Sequence, residues 1–521
     1  MHDFVIILPR VASLLFVFAF GACVGSLINV LAYRLPRGIG VVTPASRCPF
    51  CETKLRWKDN IPIFGWLFLR GKCRYCKTPI SPEYPVVELF AASLFTLFFV
   101  LWYLVPAFGG SGYELLGVNL GSARPDWAAI DRYNGVPSHS APIFAVVLLL
   151  LGSLLAMTLT DLKTTMIPLV LPWFATAAGL LIHTGYAAFL SIRGLEYSMP
   201  TAEMSWRWAI PTYGWTSVGL GIGGMVGLAI SMVLLKAGLI RRSFADAEQW
   251  EEEHRKAEGL PPLESLEDQH LDQDDGDTET GQWRPTSGWL RGPAIIVIAV
   301  VLSAIAGAVV ARALGYAPAI GLGIGAAVGP ILAGVPLRVF VPATRAEREL
   351  EPGDGPSDAE VWIAYPHARR EMVKEMAFLA PPVLGAWAGV LVLGQNQTLC
   401  PLWLDVLGGV LLGYLVGGGV VWAVRLFGSL GFGKEAMGLG DVHLMAAVGA
   451  CVGWADAVLA FFGAAFVGIL LTFYSLSLSR GVGRAMPYGP SLAIATVLVL
   501  LAKPAIELGL SRMTGQVINL P

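Results

Sequence analysis

Long apolar blocks alternate with short polar stretches along most of this chain. Each block is close to the length needed to cross a hydrocarbon core of about 30 Å as a helix. They fall at about 11–33, 86–106, 142–160, 167–190, 212–238 and 293–314, then at 317–340, 378–394, 403–427, 442–456, 457–478 and 487–510. The pattern predicts an all-α polytopic membrane protein with about twelve transmembrane helices. The first block contains Phe20-Gly21-Ala22-Cys23, a faint lipoprotein cleavage pattern. The apolar run continues through Val30-Leu31-Ala32-Tyr33, so an uncleaved span is expected.

Three polar stretches stand out between the blocks. Residues 34–85 carry ten Lys or Arg against Glu52, Asp59 and Glu83. Basic excess marks cytoplasmic loops, and threading twelve spans from there places Lys163, Arg241, Arg242, Arg369, Arg370, Lys374, Lys434, Arg480 and Arg484 on the same side. Residues 243–290 are acidic and short of β-branched side chains, the composition of a disordered linker, and are expected to be dispensable. Residues 341–377 open on a Pro, Gly and Asp linker and end in Ala359–Met376, which fits an amphipathic helix on the membrane surface.

Composition agrees with the pattern. Of 521 residues, 55% are apolar and 14% charged, and the mean hydropathy is +0.63. Soluble domains carry about 25% charged residues, so large soluble domains cannot make up most of the chain. The net charge of −2 hides an asymmetry. Residues 244–280 hold 14 acids and two bases; without them 34 bases face 24 acids, or +10.

Four of the seven cysteines sit in the 34–85 loop, as Cys48-Pro49-Phe50-Cys51 and Cys73-Arg74-Tyr75-Cys76. Two CxxC turns at this spacing predict a tetrahedral Zn²⁺ site. Four thiolates close the coordination shell, so this zinc is expected to be structural and to fold a loop too short to build its own core. The fold expected is therefore a helical membrane bundle with a small zinc-binding cytoplasmic loop.

Two acids lie at span ends beside helix breakers. Asp161 closes the third span ahead of Ile167-Pro168, and Asp441 ends Gly438-Leu439-Gly440-Asp441 at the start of the tenth. Both thread to the cytoplasmic side, and ionisable residues at membrane depth are functional candidates by default. Two carboxylates brought together share a proton and can activate a water. Glu88 and Asp405 are the rival acids. Gly221-Ile222-Gly223-Gly224-Met225-Val226-Gly227 superficially matches a nucleotide loop, but inside a span such glycines serve close helix packing.

The segments Gly25–Val30 with Tyr33–Pro36, the two CxxC pairs, Leu55–Pro62, Leu69–Cys76 and Ile80–Glu88 closely resemble the first helix and cytoplasmic loop of the bacterial type IV prepilin peptidases. Asp161 with Ile167-Pro168 resembles that family's first aspartate motif, and Gly438–Val442 with Leu444 its second, the GxGD signature of intramembrane aspartyl proteases. Pro487-Tyr488-Gly489-Pro490 resembles a turn in its last helix. The resemblance covers about 21–190 and 403–505 and implies an aspartic endopeptidase that cleaves the leaders of prepilins and pseudopilins at the bacterial inner membrane. It also implies N-methylation of the new N-terminus with S-adenosylmethionine. Membrane lipid is the expected surrounding, and no nucleic acid is expected as a partner. Two departures are Leu169, where the family has an acid, and His443, where it has Lys.

The organisation expected is a first span at 1–33, the cysteine loop at 34–85, spans with the first aspartate at 86–190, an insertion of extra spans at 191–402, and the GxGD spans at 403–521. The rival reading is a polytopic transporter with a zinc-bound loop, which would keep its acids near mid-membrane. A scaffold that has kept the peptidase fold would have less need of both aspartate motifs.

Overall fold

The computed structural model describes residues 2–104, 141–164, 166–194, 208–240, 368–432, 436–478 and 487–515, with a few isolated positions between them. Apart from a two-residue hairpin, Glu114–Leu115 with Val118–Asn119, the regular structure among these residues is helical. The helices are α1 (His2–Arg34), α2 (Phe64–Phe68), α3 (Glu83–Phe99), α4 (Ala141–Thr164), α5 (Val170–Ile192) and α6 (Trp215–Lys236). They continue with α7 (Ala368–Leu393), α8 (Leu402–Phe432), α9 (Leu439–Val452), α10 (Trp454–Leu478) and α11 (Gly489–Thr514).

Among the described residues, eight helices are long and apolar enough to cross a membrane, from α1 and α3 through α4–α8 to α10. A ninth candidate is α11, whose parts Gly489–Lys503 and Ala505–Thr514 meet at 79° around Pro504. Proline there has no backbone N–H to donate to the preceding turn. The expected spans at 293–314 and 317–340 lie outside the described residues.

Two expectations are corrected. The block at 442–456 is α9, which has 14 residues and at 1.5 Å per residue reaches about 21 Å, short of a hydrocarbon core. It ends at Gly453, whose φ of +92° turns the chain directly into α10. Eleven of its residues are buried, as befits a helix that is apolar on all sides. It is the central post of the bundle: Leu444, Met445 and Val448 pack with Leu150, Leu154 and Met157 of α4, Ala175 of α5, and Leu492 of α11. The second correction is the surface helix expected at 359–376, of which 359–367 lie outside the described residues. Residues 368–393 form one continuous helix through Pro381 and Pro382. Its acids Glu371 and Glu375 are each 4% exposed and turn into the protein.

The glycine run at 221–227 meets neighbouring helices. Gly219, Gly223 and Gly227 on α6 face Gly389, Gly385 and Pro381 on α7, so close that a Cβ at any of the three would strike backbone. Gly221 faces Gly408 of α8 in the same way. Small residues at i and i+4 let helix backbones touch, and here they join α6 and α7 into a pair that leans on α8. Part of the 191–402 segment is thus built into the bundle. Of the segment 243–290, only Ser243 and helical positions at 250, 253, 256 and 257 are described; the rest lies outside the described residues.

Candidate active site

Helix connectivity brings several polar features to one end of the bundle. Asp161 sits in the last turn of α4, and Asp441 sits in the first turn of α9. They are 280 residues apart in sequence and 5% and 9% exposed. The charge of Asp161 acts on Asp441, and that of Asp441 also reaches Tyr488. The Gly489 backbone N–H donates to the Asp161 carboxylate, and the Gly438 N–H donates to that of Asp441. Each acid is therefore gripped by a backbone amide from a glycine at the start of a helix. Ile167, from the turn after α4, lies against Gly440 and Gly489. A groove of about 540 Å³ between α10 and α11, lined by Gly468, Ile469, Phe473, Tyr488 and Ser491, opens beside Tyr488.

The family-specific departures lie nearby in sequence. His443 is half-buried two residues after Asp441, and Leu169 is exposed at the start of α5.

The rival acids have other partners. Glu88 on α3 accepts a hydrogen bond from the Ile63 N–H at 2.6 Å and another from Ser26 of α1, which fastens the cysteine loop to two helices. Asp405 accepts from the Gly214 N–H at 2.8 Å. It lies in the first turn of α8, and the far end of that helix leads to Asp441, so Asp405 is at the opposite end of the bundle.

The cysteine loop is built from two matching turns. Cys48 and Cys73 each accept an amide from four residues on, Glu52 at 2.9 Å and Lys77 at 3.1 Å. Each also donates its own N–H to a threonine carbonyl, Thr53 at 3.1 Å and Thr78 at 2.8 Å. Glu52 and Lys77 have positive φ, the bend that each turn needs after its second cysteine. Ligand atoms of Cys48, Cys51, Cys73 and Cys76 all lie within 4.8 Å of one another, and the Cys48 and Cys76 sulfurs are 3.7 Å apart. Sulfurs at the corners of a tetrahedron around Zn²⁺ at about 2.3 Å stand about 3.8 Å apart, so the donor set fits a metal ion. Burial pushes the Cys48 thiol up to about 12, while the Thr78 hydroxyl and amide hold Cys76 at about 6. A divalent cation favours the thiolate at all four positions.

The loop is anchored beyond its cysteines. Arg74 closes on buried Asp59 with Nη2 at 2.6 Å and Nε at 2.7 Å, and the Trp66 indole donates to the Ile80 carbonyl at 3.0 Å. Where the loop re-enters the bundle, Glu83 pairs with Lys163 at 2.6 Å, two residues past Asp161. The loop's exit and the carboxylate pair therefore share one end of the molecule.

Sequence reading passed over Arg425 and Glu375. Arg425 is 2% exposed inside the apolar stretch of α8, and its guanidinium reaches Glu375 on α7 at 3.1 Å. A lone arginine inside an apolar block is a signal in its own right.

Residues 19–102 match the model of the bacterial peptidase A24 N-terminal domain, and residues 380–473 match the model of the type IV leader peptidase family. The first match contains the four cysteines and the second contains Asp441; Asp161 lies between them. A prepilin leader peptidase/N-methyltransferase of Myxococcus xanthus is 50% identical over 80 residues, 15% of this chain and 24% of that protein. One from Klebsiella pneumoniae is 47% identical over 88 residues, 16% and 39% of the two chains. One from Pectobacterium carotovorum subsp. carotovorum is 31% identical over 169 residues, 28% and 48%. The chain thus spans less than half the length of each of these relatives. No solved structure matches it significantly.

Proposed function

We propose that this chain is a membrane-embedded aspartic endopeptidase. It cleaves the leader peptides of type IV prepilins and type II secretion pseudopilins at the cytoplasmic face of the bacterial inner membrane. The observation that carries this reading is the meeting of Asp161 and Asp441 at one end of the bundle, each held by a glycine amide. In this reading one carboxylate is ionised and takes a proton from the attacking water. The other is protonated and stabilises the oxygen of the scissile carbonyl as charge develops there. The apolar groove between α10 and α11 gives an extended substrate segment a lipid-side approach to the pair. The cytoplasmic orientation rests on the ten bases of the 34–85 loop. The Glu83–Lys163 pair keeps that loop on the same side as Asp161. A transporter would hold its acids near mid-membrane, whereas this pair stands at the helix ends.

The second activity in this reading is N-methylation of the freshly exposed N-terminus with S-adenosylmethionine, as the relatives' names include it. The glycines of 221–227 are occupied by α7 and α8 and offer the donor no cradle. Mass spectrometry of a co-expressed prepilin tests both activities at once. The expected product has lost its leader and gained 14 Da; an intact prepilin would rule out the proteolytic reading.

Zinc in this reading is held by Cys48, Cys51, Cys73 and Cys76 and acts structurally, since four thiolates leave no position for water or substrate. Purified protein is expected to contain about one zinc per chain. Cys73→Ser should lose it and turn residues 34–85 from resistant to sensitive in limited proteolysis. A metal-free preparation with a protease-resistant loop would contradict the assignment.

Deleting 258–290 spares Ser243 and the helical positions near it. Because the composition of that stretch cannot bury a core, leader cleavage should stay within about twofold of wild type. A well-inserted but inactive deletion would instead make the stretch a docking segment.

A further inference from the structure

Glu375 lies on α7, five residues before the leader peptidase match begins at 380. It is 4% exposed, yet its carboxylate is crowded with donors. It accepts from Trp422 Nε1 at 2.8 Å, from Arg425 Nη2 at 3.1 Å and Nε at 3.3 Å, and from the Ser243 hydroxyl at 3.1 Å. Trp422 and Arg425 belong to α8, so the carboxylate locks α7 to α8 through a buried ion pair.

The other side of Arg425 reaches the connection that leads into α9. Its Nη1 donates to the Met437 carbonyl. One turn further along α8, the Ser429 hydroxyl accepts the Ala436 N–H at 3.0 Å. Two peptide groups of this connection are thereby held from α8, and the one that carries the Met437 carbonyl also carries the Gly438 N–H. Gly438 follows, its N–H on the Asp441 carboxylate, and α9 begins at Leu439. An arginine buried without a countercharge is costly, and Glu375 supplies one that holds Arg425 where it can reach Met437.

We propose that Glu375 is a positioning residue for Asp441, acting through Arg425 and the Met437 carbonyl. Helix α7 of the 191–402 segment thus sets where one carboxylate of the pair stands. This rests on the reading of Asp441 as catalytic. A small displacement of a reacting group can cost about 10²-fold in rate, so even modest loosening of this strap should register.

The test uses the full-length protein in lipid nanodiscs with a purified prepilin, and Asp441→Asn as the inactive control. Glu375→Gln keeps the shape and removes the charge. It should lower kcat about tenfold with KM within twofold, the sign of an interaction expressed after substrate binding. Backbone hydrogen exchange at 436–441 should accelerate at least tenfold, while exchange in 402–420 stays unchanged. Glu375→Asp should recover part of kcat. If Glu375→Gln does not insert, Glu375→Gln combined with Arg425→Gln removes both buried charges and should fold while remaining slow. Unchanged kcat in a folded variant, or accelerated exchange spread evenly over the bundle, overturns the proposal. A wild-type protein that leaves the prepilin intact overturns the proteolytic reading, and this one with it. Wild-type cleavage with undisturbed Glu375→Gln turnover overturns this one alone.

Discussion

Asp161→Asn and Asp441→Asn are each expected to lower leader cleavage by at least about 10³-fold, and the double variant to be little worse than either. If the two carboxylates activate one water as a unit, losing either partner already removes the step, so the effects cannot add. Asparagine keeps the size and can still accept from the glycine amide that grips each side chain. Insertion and thermal stability should therefore survive. Methyl transfer onto a precleaved substrate should survive as well, since that chemistry needs no carboxylate pair. The measurement is the cleavage rate of a purified prepilin, read by mass. Either single variant cutting within about tenfold of wild type would remove that residue from the mechanism. Glu88 and Asp405 are poor replacements, since Glu88 fastens the cysteine loop and Asp405 lies at the other end of α8.

Helix content and most span positions were legible because a bilayer imposes long apolar runs, and eight of the runs reappear as candidate spans. The cysteine turns were legible because metal-ligand spacing is local. What failed was anything decided by neighbours. The run that became α9 and the start of α10 looked like an ordinary membrane crossing, but Gly453 breaks it and the surrounding helices bury it on all sides. The surface helix expected over Ala359–Met376 failed because helical periodicity does not say which side meets water. Only the opposing Arg425 and Trp422 on α8 show that Glu375 turns inward. The meeting of Asp161 with Asp441 was an expectation that spacing could not supply, since 280 residues separate them. The part played by Gly489 was likewise hidden in a turn whose neighbours lie on α4.

Gly489→Ala is expected to lower kcat by about 10²-fold, the cost of moving a reacting group by roughly 1 Å. A Cβ on Gly489 would strike the Asp161 carboxylate oxygen and stand 3.3 Å from its Cγ and 3.4 Å from Ile167 Cδ1. The carboxylate must yield, because α11 begins here and its backbone is committed to the bundle. Two neighbouring glycines set the scale. A Cβ at Gly440 would lie 3.1 Å from Ile167 Cβ, a tight contact with a side chain that can give slightly, so Gly440→Ala should be slowed less. A Cβ at Gly438 would find the Asp441 Oδ2 at 3.7 Å, ordinary contact distance, and its backbone at φ −72° and ψ 150° suits any residue. Gly438→Ala should therefore cleave within about fivefold of wild type. The expected order of turnover is Gly438→Ala above Gly440→Ala above Gly489→Ala, measured with one prepilin at saturating concentration. Turnover for Gly489→Ala at or above that of Gly438→Ala would mean that Asp161 does not stand against the α11 turn during catalysis.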